Sequence, residues 1–352
     1  MFLRNAWYIA SWDKELASTP LAVRILGEDI VLYRKSDGTV AALEDACPHR
    51  KLPLSLGRIK GDFIECGYHG LTFDCSGRCV KVPGIDRIPD AAQVRSYPLE
   101  LRYGLLWIWM GDMARANPAE IHDIPHWDDP TWGVNQGEAI NMACNYFHIT
   151  DNLLDPSHVS WVHQTSFGNV NFQETTVDTL VADNGVTVSR WMRDVEPAPF
   201  YVPFLKFKGN CDRKQQYEVR FPCHAFIKAI FTPVGTGGDD QAPHPDVFIM
   251  DSYNFMTPMD ENNTRYYWFQ MRNFAPGDDT VSRQFSDSVR FAFSEDKIIL
   301  EAVQKGIDRA RIPPIGLKID LGPTRFRRQM AKLIEEEHAS ATAEKNLAER
   351  TS

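Results

Sequence analysis

The chain has 352 residues, 43% of them hydrophobic, enough for two ordinary domains with their own cores. Its 47 acidic against 38 basic residues leave a formal net charge of −9 with no Lys/Arg-rich stretch to offset it, so nucleic acid is not an expected partner. The start, MFLRNAWYIASWDKE, lacks a basic n-region and an apolar signal core, and the longest uncharged apolar run, LLWIWM, is far too short to span a bilayer, so a soluble cytoplasmic protein that meets no membrane is expected.

From residue 20 to about 110 the sequence consists of short β-like runs broken by turns: VRILGEDIVLYR, Asp37-Gly38, VAALED, DFIECGYH, LTFDC, Ser76-Gly77 and YGLLWIWMG. This predicts a small all-β, antiparallel domain over 1–115. The Pro- and Asp-rich stretch 111–133 has poor periodicity and marks the crossing into a second domain, 116–335. There NMACNYFHITDNLLDPSHVSWVH reads as helical. Strand-like segments follow (TVSRWMRDV, KQQYEVRFP, AFIKAIFTPV, VFIMDSYNFMTP, TRYYWFQMRNF), then a helix from about 279 to 310. The order predicts an α+β domain built on an antiparallel sheet. Residues 235–246 read as a flexible surface loop and 336–352 as a frayed polar tail.

Seven cysteines, at 47, 66, 75, 79, 144, 211 and 223, are an odd number in a long chain with no export signal, which points to metal binding or burial more than to disulfides. Cys47 and His49 stand in one β-domain loop, and Cys66 and His69 in another. Zinc sites of two Cys and two His usually pair like with like, whereas here each loop carries one of each. The mixed pairs fit a [2Fe–2S] cluster with both thiolates on one iron and both imidazoles on the other. Neutral imidazoles lower the cluster's negative charge and raise its reduction potential, giving a one-electron store. Tight loops containing Pro48, Pro53, Gly67 and Gly70 can turn backbone N–H groups toward the sulfurs. Cys75 and Cys79 could complete a four-cysteine site, but that leaves both histidines idle, so they read as hairpin residues.

A second constellation lies in DNLLDPSHVSWVH. His158 and His163 are about 140° apart on a regular helix, yet Pro156 disfavours helix at Asp155, and a broken helix can aim both rings at one point. Two imidazoles and one carboxylate on one face of an octahedron, the other face open, is the arrangement of non-haem Fe(II) oxygenases. The helix near 279–310 offers the acid: Phe285, Val289, Phe293, Ile299, Leu300 and Val303 form an apolar stripe on which Asp296 falls, while Glu295 lies about 100° away. A carboxylate on a buried face needs a cation or donors, either a metal or an arginine such as Arg272. Asp155 is too close to His158 for a comfortable third ligand, but could accept from that ring and fix its tautomer.

C-P-H-R-x15-C-x-Y-H-G, Cys47 to Gly70, resembles the Rieske motif. N-x2-D-x2-H-x4-H (Asn152, Asp155, His158, His163) together with E-D-K at 295–297 resembles the mononuclear iron site of the Rieske oxygenases. The resemblance reaches to about residue 330. It implies a catalytic domain of the helix-grip type and Asn152 near the iron, ligating or hydrogen-bonding. It also implies a head-to-tail homotrimer in which Asp155 links His158 to His69 of the next subunit. FLRNAWYIA and RSYPLELRYGLLWIWMGDMARANP are most similar to the oxygenase components of vanillate O-demethylase and toluenesulfonate methyl-monooxygenase, which hydroxylate a methyl group on an aromatic acid. D-P-S-H at 155–158, where D-L-T-H is frequent, departs from the vanillate enzyme itself. No G-x-G-x-x-G follows a strand, so electrons are expected from a partner: by resemblance, a flavin- and ferredoxin-type reductase that oxidises NADH.

For the substrate, a small aromatic acid, Lys228, Tyr253, Asn254 and Trp268 are candidates to hold the acid or the ring, with a solvated Lys228 equally admissible. His122, His126, His148, His224 and His244 have no second ligand at a useful spacing and read as ordinary polar residues. An oxygenase is expected over a bare electron carrier, in which His163 and Asp296 would be dispensable, and over a colourless zinc protein. Protein purified without oxygen is expected to be brown, with about three iron and two acid-labile sulfide per chain by metal and sulfide analysis. Two iron would leave only the carrier, and zinc without sulfide would remove both readings.

Overall fold

The computed structural model describes residues 2–164, 167–168 and 176–351, from 344 onward by backbone alone. Two compact units emerge: one of residues 1–123, 257–261 and 337–352, the other of 124–256 and 262–336. The crossing therefore falls later than the sequence suggested, and two distant segments return to the first unit.

The strands of the first unit are β1 (Trp7–Trp12), β2 (Leu21–Ile25), β3 (Glu28–Arg34), β4 (Val40–Glu44), β5 (Arg58–Lys60), β6 (Phe63–Glu65), β7 (Thr72–Phe73), β8 (Cys79–Lys81), β9 (Ser96–Tyr97), β10 (Leu99–Arg102) and β11 (Leu105–Trp109). They form antiparallel sheets in the orders β1-β11-β10, β2-β3-β4-β9 and β5-β6-β7-β8. The run VRILGEDIVLYR is a hairpin, turned at Leu26 and Gly27 with φ of 51° and 83°. Positive φ at both central residues is what a type I′ hairpin turn demands, and leucine at the first hides the signal. Their N–H groups donate to the carbonyls of Pro258 and Met259, anchoring the returning segment.

In the second unit, β12 (Gly133–Gln136), β13 (Ile140–Met142), β14 (Asp178–Ala182), β15 (Gly185–Val195), β16 (Cys211–Arg220), β17 (His224–Pro233), β18 (Phe248–Asp260) and β19 (Asn263–Arg272) form one sheet. Its order is β12-β19-β18-β17-β16-β15-β14, with β13 also on β19. Helices α1 (Tyr146–Leu153) and α2 (Val159–Val162) flank the break at Pro156. Helix α3 (Asp279–Arg309), capped by the Asp278 carboxylate, lies against the sheet through Phe293, whose ring meets Tyr266 and Trp268 at 5.1 and 5.4 Å. Its buried face carries Phe285, Val289, Ala292, Phe293, Asp296 and Leu300. Ile299 and Val303, assigned to that stripe from sequence, are instead 45% and 40% exposed.

Helix α4 (Leu321–Thr351) corrects the expected tail: 336–351 continues as helix, and Ser352 lies outside the described residues. The stretch has no Gly or Pro and is rich in Ala and Glu, so helix propensity is high although no apolar stripe shows. Arg327 fixes the helix by donating to both Asp151 oxygens, Oδ1 at 3.0 Å and Oδ2 at 2.6 Å. Glu337 accepts from the N–H groups of Arg4 and Asn5 at 2.8 and 2.6 Å. The expected flexible loop is also tethered, because Asp212 accepts from Gly235 and Gly237 N–H and Asp239 pairs with Lys214. None of the described helices is long and apolar enough to cross a membrane.

Candidate metal sites

The two Cys/His loops of the first unit repeat one backbone pattern. Cys47 N–H donates to Leu52 and Lys51 N–H to the Cys47 carbonyl; Cys66 N–H donates to Leu71 and Gly70 N–H to the Cys66 carbonyl. Lys51 and Gly70, each four residues after the cysteine, both have positive φ, 59° and 72°. Between the loops, a Cβ on Gly57 would come within 2.2 Å of the Glu65 carbonyl oxygen, so only glycine lets them approach. The buried Asp45 carboxylate accepts from Ser55 N–H and Oγ at 2.7 and 2.6 Å and stiffens the first loop.

Cys47 and Cys66 are 2% and 1% exposed and belong to the core of this unit, with Val31, Tyr33, Leu54, Ile64 and Phe73. His49 and His69 are exposed, their rings 4.6 Å apart. Burial, joined by the Cys66 thiol, raises the Cys47 pKa, while the N–H groups of His49 and Arg50 at its sulfur oppose the rise. His69 is shifted down, by desolvation first and then by His49 and Arg50, which favours the neutral imidazole a metal needs. Two inward thiols, that of Cys47 backed by N–H groups, and two adjacent outward imidazoles fit the cluster's donor set. Cys75 is exposed and Cys79 directs its thiol to the Lys81 carbonyl, both on the hairpin, as expected.

In the second unit the break at Pro156 does what the spacing required. His158 is the N-cap of α2 and His163 its C-cap, so the four-residue helix holds one ring at each end. Their rings lie 5.3 Å apart at 75°. From α3, Asp296 Oδ1 stands 3.8 Å from His158 Nε2 and 3.2 Å from His163 Nε2, and one ligand atom from each of the three residues falls within 4.8 Å of the others. Each ring has its other nitrogen occupied: His158 Nδ1 donates to the Asp155 main-chain carbonyl, and His163 Nδ1 to Glu295 Oε2 at 2.9 Å. Those acceptors assign the Nδ1–H tautomer, leaving both Nε2 lone pairs toward Asp296. Burial lowers the His158 pKa; for His163 burial also pulls down, but Asp296 and Glu295 outweigh it and raise the value.

Several expectations change here. The acceptor for His158 is the Asp155 carbonyl and not its carboxylate, which is engaged by Ser157 N–H and Oγ. Asn152 Nδ2 donates to Asp296 Oδ1 at 3.2 Å. Arg272 does not pair with Asp296; it donates to Ala275 O and Ser282 Oγ. The triad opens on a pocket lined also by Phe167, Tyr201, Arg213, Gln215, Lys228 and Phe293. Of the substrate candidates only Lys228 reaches it. Asn254 is fully buried and bonded to Tyr266 Oη, Tyr253 stacks on Phe269 at 4.8 Å, and Trp268 is closed in by Phe293 and Gly137. Along β18 the cavity face is carried by Met250 and Ser252, so Tyr253 falls on the opposite face. Glu295, Arg213 and Gln215 were missed; the signal for the last two is Arg213, Gln215 and Tyr217 recurring at every second place in a strand.

Two family models match: the Rieske [2Fe–2S] domain over residues 6–98, and the vanillate O-demethylase oxygenase C-terminal domain over 142–336. The chain is 36% identical to the toluene-4-sulfonate monooxygenase system iron-sulfur subunit of Comamonas testosteroni, covering 96% of this chain and 99% of that one. It is 35% identical to the vanillate O-demethylase oxygenase subunit of a Pseudomonas species, covering 97% and 98%. The crystal structure of dicamba monooxygenase with non-heme iron and dicamba superposes with a TM-score of 0.82 at 30% identity, covering 96% and 99%. The cofactors are accordingly a Rieske [2Fe–2S] cluster and a mononuclear non-haem iron. Replacing Glu295 by alanine removes the acceptor for His163 and is expected to weaken iron retention against a chelator roughly 10- to 100-fold, with the cluster's visible spectrum unchanged. Matched in both domains, and with the triad assembled as the motif requires, the chain belongs to the Rieske non-haem iron oxygenases.

Proposed function

We propose that this chain is the terminal oxygenase of a monooxygenase system that hydroxylates a methyl group of an aromatic acid. The leading reaction is O-demethylation of a methoxybenzoate such as vanillate to a phenol and formaldehyde. The observation that carries this reading is the triad set in the wall of a pocket lined by the rings of Phe167, Tyr201 and Phe293, a lining suited to a substituted benzene ring. In balance, an aryl methyl ether, O2, two electrons and two protons give the phenol, formaldehyde and water. Hydroxylation of an aryl methyl group to a stable alcohol is the second reading, favoured by the 36% identity to the toluene-4-sulfonate relative.

When bound, the iron supplies open positions at which O2 is taken and reduced, and the cluster supplies electrons singly. The chain's own residues prepare that site. Asp155 O and Glu295 hold the two imidazoles so that both Nε2 atoms converge, and Asn152 donates to Asp296 Oδ1 and steadies that carboxylate. Phe167, Tyr201, Val289 and Phe293 make the wall apolar, which keeps bulk water from the reacting methyl. Electrons come from a flavin/ferredoxin-type reductase that oxidises NADH.

The proposal includes a homotrimer in which Asp155, bonded to His158 through its main-chain carbonyl, links that ring to His69 of the adjacent subunit, giving electrons a short path. In support, Asp155 is half-buried and adjoins His158 through its carbonyl, and His69 is exposed. Asp155→Asn is expected to retain both metal centres by metal analysis yet lower turnover about 10-fold or more; turnover at the wild-type rate would remove the bridging role. For the reaction itself, the protein reconstituted with a reductase, NADH and O2 is expected to convert vanillate to a phenol with formaldehyde matching the NADH consumed. An alcohol from toluene-4-sulfonate with no reaction of vanillate would select the second reading. NADH oxidation with no product from any aromatic methyl compound would overturn both.

A further inference from the structure

Two glutamines line the cavity, Gln215 on β16 and Gln270 on β19, and they are not equivalent. Gln215 has both ends of its amide engaged: Oε1 accepts from Arg190 Nε at 2.8 Å, and Nε2 donates to Tyr217 Oη at 3.2 Å. Gln270, 3% exposed, has its oxygen engaged by Asn135 Nδ2 at 3.1 Å, from the paired position on β12. Its Nε2 meets no acceptor among the described residues, so the N–H pair of a buried amide is left to the cavity that the residue lines. A guanidinium behind the two amides decides which end of each points where. Arg272 is fully buried and can only donate: Nη2 is pinned by Ala275 O at 3.0 Å and Ser282 Oγ at 2.9 Å, and Nη1 reaches Asn135 Oδ1 at 3.4 Å. Asn135 therefore turns Nδ2 the other way, where it meets Ser286 Oγ at 3.4 Å as well as Gln270 Oε1. Ser286 gives its own proton to the Gln136 carbonyl at 3.2 Å, which leaves its oxygen to accept. The polarity set at Arg272 passes through Asn135 and fixes Gln270 with its oxygen away from the cavity and its N–H groups toward it.

A buried N–H donor is costly to leave unpaired. A ligand that surrounds it with carbon keeps that cost, whereas one that brings an oxygen to it removes the cost, and a site built this way discriminates strongly between the two. We propose that Gln270 is the hydrogen-bond donor that recognises and orients the aromatic substrate, giving its N–H to an oxygen of the acid group or of a ring substituent. The proposal rests on the reading of this cavity as the substrate site of an aromatic-methyl oxygenase. A neutral donor selects by the position of a lone pair and not by charge, so it separates compounds of equal charge by where their oxygens stand. With the donor on the sheet and the triad on α2 and α3, a ring held at one oxygen turns a defined edge toward the triad.

The test is calorimetric binding to the protein carrying both metal centres, without oxygen or reductase. The ligands are vanillate, 3-methoxybenzoate, which lacks the ring hydroxyl, guaiacol, which lacks the acid group, and toluene, which has no oxygen. Gln270→Leu is expected to weaken vanillate roughly 10-fold while toluene binds as before. A matching loss for 3-methoxybenzoate but not guaiacol assigns the acid group as the acceptor, the reverse pattern assigns the ring hydroxyl, and loss for both assigns the methoxy oxygen they share. In Asn135→Asp the new carboxylate pairs with Arg272 and draws the Gln270 N–H to itself, turning Oε1 to the cavity. That variant is expected to weaken vanillate as much as Gln270→Leu does and to strengthen 3-methoxyaniline, whose amine donates, several-fold. Unchanged vanillate affinity in Gln270→Leu, or an equal loss for toluene, overturns the proposal. Should Gln270→Leu fail to fold, wild-type affinities in Asn135→Asp overturn it. Gln270-dependent binding of compounds that are never oxidised with reductase, NADH and O2 would instead remove the oxygenase reading and leave the donor standing. Oxidation of vanillate by Gln270→Leu at wild-type affinity would do the reverse.

Discussion

A carboxylate set among phenylalanines governs the catalytic unit. Asp296 sits on the same face of α3 as Phe285, Val289, Phe293 and Leu300, and is itself only 6% exposed. Stripping water from a carboxylate costs several kcal/mol unless charge or donors replace it. The chain supplies those replacements from the broken helix opposite: the Asn152 amide and two Nε2 atoms that a cation can share with the carboxylate. The break at Pro156, the four-residue helix and the contact of α3 with the sheet are then parts of one solution, because each is needed to bring those groups to one oxygen.

Much of that solution was legible in the sequence, because its signals are local. Pro156 announces the break, the spacing of His158 and His163 announces two ring positions, and the 3.6-residue period places Asp296 on a buried face and Glu295 beside it. Periodicity could not say that Glu295, off the stripe by one helical step, is carried round to His163 Nδ1. It also overextended the stripe to Ile299 and Val303, since no pattern records where the sheet beneath a helix stops. The two Cys/His loops were legible for a different reason: four residues in two short loops are fixed by turn geometry that the glycines and prolines spell out.

The pocket was the least legible part, and the reason is geometric. Cavity walls are drawn from one face of several strands, and which face turns toward the triad is decided by register across the whole sheet. Asn254 and Trp268 were attractive because they are polar or aromatic on strands near the triad, yet both are absorbed into packing by Tyr266, Phe293 and Gly137. Arg213 was passed over because a charged residue in a strand reads first as a solvent-facing one. Its 2% exposure shows the strand turned the other way.

The paired loops of the first unit have a consequence for traffic through the protein. They are near copies in backbone, yet each sends its thiol inward to the core and its imidazole outward to solvent. Electronic coupling decays steeply with distance, so a cluster held by these loops would couple best through the nearest surface group. Here that is a pair of rings 4.6 Å apart. The thiol side is insulated by Val31, Tyr33, Ile64 and Phe73, and the imidazole side is bare. A cluster held here would thus be reached most readily through the surface at His49 and His69.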